Sequence, residues 1–190
     1  MRKNPTHMKA RTSIFIATSL DGYISRPDGS IDWLNEANAA VPPGEDCGYA
    51  QFMSTIDTIV MGRNTFEQVL TFDPWPFDGK KLVVMSSRPV AIPAHLAATV
   101  SATSETPAAL VARLTAQGCL HLYIDGGKTI QGFLAANLVD DITVTTIPVL
   151  IGAGRPLFGA LPDDRKLKLL SSKSYPFGFV QNTYRVEPDA

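Results

Sequence analysis

The residues best placed to do chemistry fall in three short segments. These are Ala17-Thr18-Ser19-Leu20-Asp21-Gly22-Tyr23-Ile24-Ser25, Val60-Met61-Gly62-Arg63-Asn64-Thr65-Phe66 and Ile124-Asp125-Gly126-Gly127-Lys128-Thr129-Ile130. Each follows an apolar run, and the last two are expected to open a helix. A strand, a glycine turn and a helix N-terminus together form an anion site, because free backbone N–H groups and the helix dipole both favour negative charge. Two such turns in one domain can hold the two ends of a pyrophosphate, which points to a dinucleotide ligand. Singly, Gly62 and Gly127 read as ordinary strand ends or helix starts, and Arg63 and Arg88 as solvated charges. It is their joint position after strands that carries the reading, because open α/β sheets bind ligands at the carboxyl ends of their strands.

Other chemistries find little support. His7, His95 and His121 are scattered, and Cys47 and Cys119 lack metal-ligand spacing, so no metal site is expected. His121 falls in a strand, where a satisfied or edge position is expected. The two cysteines read as reduced thiols of a cytoplasmic protein, since residues 1–9 are polar and lack the apolar core of a secretory signal. No apolar stretch is long enough to cross a bilayer. The net charge of −1 gives no global attraction to nucleic acid or anionic membrane, so anion binding must be local. With 190 residues, 45% hydrophobic and 18% charged, the chain is expected to form one globular domain over residues 11–187, after a disordered tail at 1–10 with Met8 near the natural start.

The elements that must position these segments follow from apolar patterning. Strands are expected at 12–17, 57–61, 81–85, 98–101, 120–124 and 140–147, with an antiparallel pair at 167–173 and 179–186 around Tyr175-Pro176-Phe177-Gly178. Helices are expected at 45–56, 64–70, 106–116 and 129–136, the third with Pro107 in its first turn. Residues 19–44 read as a long loop of the kind that is usually functional. Strands alternate with helices up to residue 136 and then follow one another. That order implies an α/β fold with about eight strands, mostly parallel, helices on both faces and antiparallel strands at one edge.

The ordered set of motifs, over roughly residues 13–158, resembles the dihydrofolate reductase-like superfamily, and most of all its branch related to the reductase domain of the bifunctional riboflavin-synthesis enzyme. The resemblance implies NADPH as cofactor. Ala17 matches the strand end that contacts the nicotinamide amide, and Ile24 the loop residue near the nicotinamide ribose. Gly62, Arg63, Asn64 and Thr65 match the first phosphate turn, and Gly126, Gly127, Lys128, Thr129 and Ile130 the second. Ser86, Ser87 and Arg88 match the strand end facing the adenosine 2′-phosphate, where two hydroxyls and a cation favour NADPH over NADH. Arg63 suits the same phosphate through its guanidinium fork. Thr145 resembles a threonine that supports the catalytic carboxylate of the folate enzymes. A homodimer, with the apolar C-terminal strands at its interface, is also implied.

Hydride reduction of a C=N or C=O bond needs a proton as well. By resemblance, the acid lies early in the helix before the Met-Gly-Arg strand, at about Asp46. An ordinary capping role competes with that reading. Asp32-Trp33, in the segment expected to cover the pocket, is the other candidate. Trp33 would either stack on a flat substrate or plug the loop. Ser19 is a substrate-contact candidate, and Asp21 a turn former. Gly152-Ala153-Gly154-Arg155-Pro156-Leu157-Phe158 is either a ligand-contacting turn or a connection to the edge strands.

The Asp-Asn-Pro-x-Leu pattern of the riboflavin branch is absent here, and its Glu-Gly-Gly is Asp125-Gly126-Gly127. The leading expectation is therefore an NADPH-dependent reductase of a small pteridine-like or pyrimidine-like heterocycle. The alternatives are a stand-alone riboflavin-pathway 5-amino-6-(5-phosphoribosylamino)uracil reductase and a dinucleotide-binding protein without turnover.

Overall fold

The computed structural model describes residues 9–188. Residues 1–8 of the expected tail, with His7 and Met8, lie outside the described residues. Its last two residues are anchored instead. Lys9 pairs with Asp140 at 3.2 Å, and the Ala10 N–H donates to Thr115 Oγ1 at 2.9 Å.

In chain order the elements are β1 (Arg11–Ser19), β2 (Tyr23–Ser25), α1 (Asp32–Asn38), α2 (Tyr49–Ser54), β3 (Thr58–Gly62), α3 (Arg63–Val69), β4 (Lys81–Met85), a 3₁₀ turn (Ala94–Leu96), β5 (Val100–Thr103), α4 (Pro107–Ala116), β6 (His121–Asp125), α5 (Gly127–Ala135), β7 (Asp141–Ile147), β8 (Arg155–Pro156), β9 (Leu167–Ser174) and β10 (Val180–Val186). The main sheet runs β5-β4-β3-β6-β1-β7-β10-β9. Its first six strands are mutually parallel, and β10 and β9 are antiparallel at the edge. This is the expected eight-stranded, mostly parallel sheet. Among the described residues, no helix is long and apolar enough to cross a membrane.

Alternation along the strands explains helices on both faces. Val60, Val83, Leu122 and Ile124 point to one side, where Leu110 and Val111 of α4 and Ile130 and Phe133 of α5 cover them. Ile59, Met61, Leu82, Val84 and Tyr123 point to the other, against Phe66 and Val69 of α3 and Tyr49 and Phe52 of α2. Phe66 and Phe133 are fully buried, each contributing about 1.5–3 kcal/mol through apolar burial. At the β7 end a third cluster joins Trp33, Ile147, Tyr175 and Phe179. His121 is satisfied as expected, with its ring nitrogens 2.8 Å from Ser13 Oγ and 3.1 Å from Thr55 Oγ1.

Two expected elements differ. Residues 19–44 are not a bare loop: they hold β2 and α1, and β2 pairs with β8 in a separate two-stranded sheet. The helix expected from residue 45 begins only at Tyr49. Glu45 Oε1 accepts the Cys47 N–H at 2.7 Å, and Asp46 accepts from Gly48 and Ala50, both at 2.8 Å. Cys47 (φ 55°) and Gly48 (φ 82°) are left-handed. Short acidic side chains that bond nearby backbone N–H groups hold a turn in place of a helical turn.

Candidate functional site

Two glycine turns sit side by side at the carboxyl ends of β3 and β6. Gly62 precedes α3, and Gly126 (φ 87°) precedes α5. A Cβ on Gly62 would lie 2.9 Å from Thr129 Oγ1, and one on Gly126 would run into the Thr65 side chain. Each turn therefore packs against the threonine that follows the other, and this locks the two together. A Cβ on Gly127 would meet Ile24 Cδ1 at 2.9 Å, so bare backbone also faces the β2 segment there.

These turns border a cleft of about 900 Å³. Of the expected cofactor residues, Ala17, Ile24, Arg63, Asn64, Thr65, Gly126, Gly127 and Lys128 line it. Gly62 caps α3 behind the lining. The Thr129 and Ile130 side chains are both buried, and Ile130 packs in the core. Any contact from Thr129 would come through the backbone of the first turn of α5, while the Ile130 N–H already donates to the Gly126 carbonyl at 2.9 Å. Ser86, Ser87 and Arg88 do not line the cleft. They follow β4, whose Met85 is in register with Gly62, so they stand at the neighbouring strand end. The Ser86 hydroxyl ties their turn by accepting the Arg88 N–H at 3.0 Å.

A second cleft, of about 510 Å³, shares Ile16, Ala17 and Leu34 with the first. Phe15, Tyr49 and Phe179 form aromatic walls, and Thr145 supplies a hydroxyl. Thr145 Oγ1 accepts from Gln181 Nε2 at 2.9 Å, and the same amide donates to the Cys47 carbonyl at 3.0 Å.

The two expected acids do not suit proton donation. Asp46 lines the second cleft but is exposed, and the Ala50 and Gly48 N–H groups hold its carboxyl below the usual aspartate range. Asp32 lines neither cleft. It opens α1, and its pairing with Arg26 at 2.6 Å likewise lowers its pKa. Trp33 is buried in the third cluster, and neither it nor Ser19 lines either of these two clefts. Ser19 Oγ instead accepts the Tyr23 N–H at 3.0 Å and shapes the turn.

Sequence reasoning missed Asp125 as an acid. It ends β6, is half-buried, and lines the larger cleft. Burial raises its pKa from the ordinary 3.8 to about 6, partly offset by the Gly126 N–H that donates to Oδ1 at 2.8 Å. Tyr49, on the second cleft, is pushed up to about 12 by burial and by the charge of Asp125. Asp125 on the first cleft thus lies within electrostatic reach of Tyr49 on the second. The signal available in sequence was a carboxyl ending an otherwise apolar strand. Arg155 was missed as a cation because it reaches the larger cleft only through β8, where its Nε donates to the Pro27 carbonyl at 3.3 Å.

The glycine lock yields a stability prediction. Gly126→Ala forces a side chain into a conformation that only glycine adopts readily and into Thr65, which should cost about 2–4 kcal/mol. Urea denaturation checks it.

Relatives agree with this architecture. Residues 12–180 match the RibD C-terminal domain family. YwjB, an uncharacterized protein of Bacillus subtilis (strain 168), is 36% identical over 171 residues, which span 88% of this chain and 94% of YwjB. A Shewanella sp. PV-4 protein named for riboflavin biosynthesis is 37% identical, with a TM-score of 0.87 over 95% of this chain and 100% of that one. The Thermotoga maritima diaminohydroxyphosphoribosylaminopyrimidine deaminase/5-amino-6-(5-phosphoribosylamino)uracil reductase shares the fold at 13% identity, with a TM-score of 0.70 over 94% of this chain and 57% of that longer chain. The matched span takes in both glycine turns and the strands that carry them, and on it the chain belongs to the RibD C-terminal domain family, with a dihydrofolate reductase-like fold.

Proposed function

We propose that the protein is an NADPH-dependent reductase of a small pteridine-like or pyrimidine-like heterocycle. The observation that carries this reading is the shared wall at Ile16, Ala17 and Leu34 between a glycine-cradled cationic cleft and an aromatic one. The larger cleft suits a dinucleotide: Arg63, Lys128 and Arg155 bring positive charge, and Gly126 and Gly127 line it at the start of α5. Bound there, NADPH would supply the hydride.

The chain's own residues have distinct tasks. Arg63 and, at the adjoining strand end, Arg88 with Ser86 and Ser87 hold the 2′-phosphate. Ala17 and Ile24 border the reacting end. Phe15 and Tyr49 flank a flat substrate and exclude water from it. Asp125 lines the cofactor cleft and not the aromatic one; with Oδ1 occupied by the Gly126 N–H, its proton would sit on Oδ2 and would pass to the nitrogen or oxygen of a ring that reaches the shared wall. Solvent in the cleft restores that proton.

The test is loss of the reduced-nicotinamide absorbance when purified protein meets NADPH with dihydrofolate, pterins or ribosylaminopyrimidines. Turnover with one of them supports the reading. NADPH binding without turnover across the set would favour a dinucleotide-binding protein instead.

A homodimer is part of the same proposal. The edge strand β9 is exposed along its whole length, with Leu167, Leu169 and Leu170 uncovered, and such an edge invites pairing with a second copy. Sedimentation velocity should give twice the chain mass, and Leu169→Lys with Leu170→Lys should return it to the monomer.

A further inference from the structure

We propose that the smaller cleft takes a heterocycle without a phosphate group, neutral or protonated, and discriminates against its phosphorylated form. The inference rests on the reductase reading and specifies the substrate of that site.

The two clefts are segregated by charge. The larger contains three cations, Arg63, Lys128 and Arg155, against the one carboxyl of Asp125, a net positive lining that suits the phosphates of a dinucleotide. In the smaller, the charged lining residues are Glu45 and Asp46, both acidic. These carboxylates are not free to swing aside. Glu45 Oε1 accepts the Cys47 N–H at 2.7 Å, and Asp46 accepts from Gly48 and Ala50 at 2.8 Å each. Lys173 lies within electrostatic reach of Glu45 but is not a lining residue, and its ammonium is held 4.1 Å above the Tyr175 ring.

The remaining surface is that of a ring slot. Phe15, Tyr49 and Phe179 provide flat apolar contact, and Val41, Pro42 and Pro43 close the rim. The Thr145 hydroxyl oxygen is already engaged by Gln181, which leaves its proton to donate to a ring nitrogen or carbonyl. A phosphorylated sugar on such a ring would bring a dianion to a cleft whose own charges are negative and whose lining offers no cation to receive it. Repulsion from the two carboxylates, screened where they face solvent, corresponds to a preference of about tenfold.

The experiment compares a ribosylaminopyrimidine with its 5′-phosphate, with dihydropterin as a phosphate-free ring. Binding is measured by calorimetry with and without saturating NADPH, and kcat/KM wherever turnover occurs. The expected result is about a tenfold preference for the unphosphorylated compounds, narrowing as salt rises and narrowing further in Glu45→Gln and Asp46→Asn. Because these variants remove carboxylates that hold the turn before α2, the salt series on unmodified protein is the independent readout. Equal or tighter binding of the 5′-phosphate, or no binding of any of the rings, overturns the inference. A retained preference for the unphosphorylated ring in a protein that binds no NADPH overturns the reductase reading and leaves the charge selection standing.

Discussion

Asp125→Asn should lower kcat of the reductase reaction by about 10²–10⁴-fold, the contribution of a positioned general acid, while leaving NADPH affinity nearly unchanged. Asparagine keeps the shape and still offers an oxygen to the Gly126 N–H, so the turn should survive. In the unmodified protein, activity should fall as pH rises through about 6, because the protonated form is the donor and burial holds its pKa there. The variant should lose that limb.

In Asp125→Asn, stability should move the opposite way to activity. A carboxyl whose folded pKa is raised from 3.8 to about 6 favours the fold while it is protonated, and that contribution is lost as pH rises from about 4 through about 6. Above that window the ionised group is a cost of roughly 1–3 kcal/mol, the lower end reflecting its partial contact with solvent in the cleft. Asp125→Asn should therefore be the more stable protein at pH 8 and show no such gain at pH 3. Thermal unfolding at the two pH values measures this. A variant that loses activity and stability together at pH 8 would mean that Asp125 serves the fold and supplies no proton.

Arg63→Ala combined with Arg88→Ala should weaken NADPH binding by about a hundredfold or more, as expected from the loss of charge-assisted hydrogen bonds to a phosphate. NADH, which lacks the 2′-phosphate, should change by only a few-fold. Fold stability should hardly respond. Arg63 pairs with Glu67 at 3.1 Å across one helical turn, and both side chains contact solvent; such pairs are worth about 0–1 kcal/mol. Equal losses for both nucleotides would remove the 2′-phosphate assignment while leaving the pyrophosphate cradle in place.

Local chemistry was legible in the chain wherever it depended on neighbours in sequence. Apolar runs identified the strands of the main sheet, and Thr106-Pro107 marked the start of α4, where the Thr106 hydroxyl accepts the Ala109 N–H. The two glycine turns could be read because a turn and the helix after it are contiguous. Features that depend on distant pairing could not be read in this way. The β2–β8 sheet joins residues about 130 positions apart, and it is what brings Arg155 to the larger cleft. The raised pKa of Asp125 is likewise a property of the packed sheet, since burial is its first cause. Asp46 misled because a helix start and an acidic turn share the same residues. Cys47 and Gly48 in left-handed conformations decide between them, and only the folded backbone shows that. From sequence Trp33 suits a plug or a platform equally, and its packing against Ile147, Tyr175 and Phe179 depends on the fold.

The larger cleft, with its two interlocked glycine turns, is proposed to hold NADPH. Calorimetric titration of the purified protein with NADPH and NADH at one ionic strength is the decisive test. Saturable binding of NADPH with a strong preference over NADH, weakening as salt rises, is the expected result. Failure to bind either nucleotide, or equal affinity for the two, would rule the proposal out.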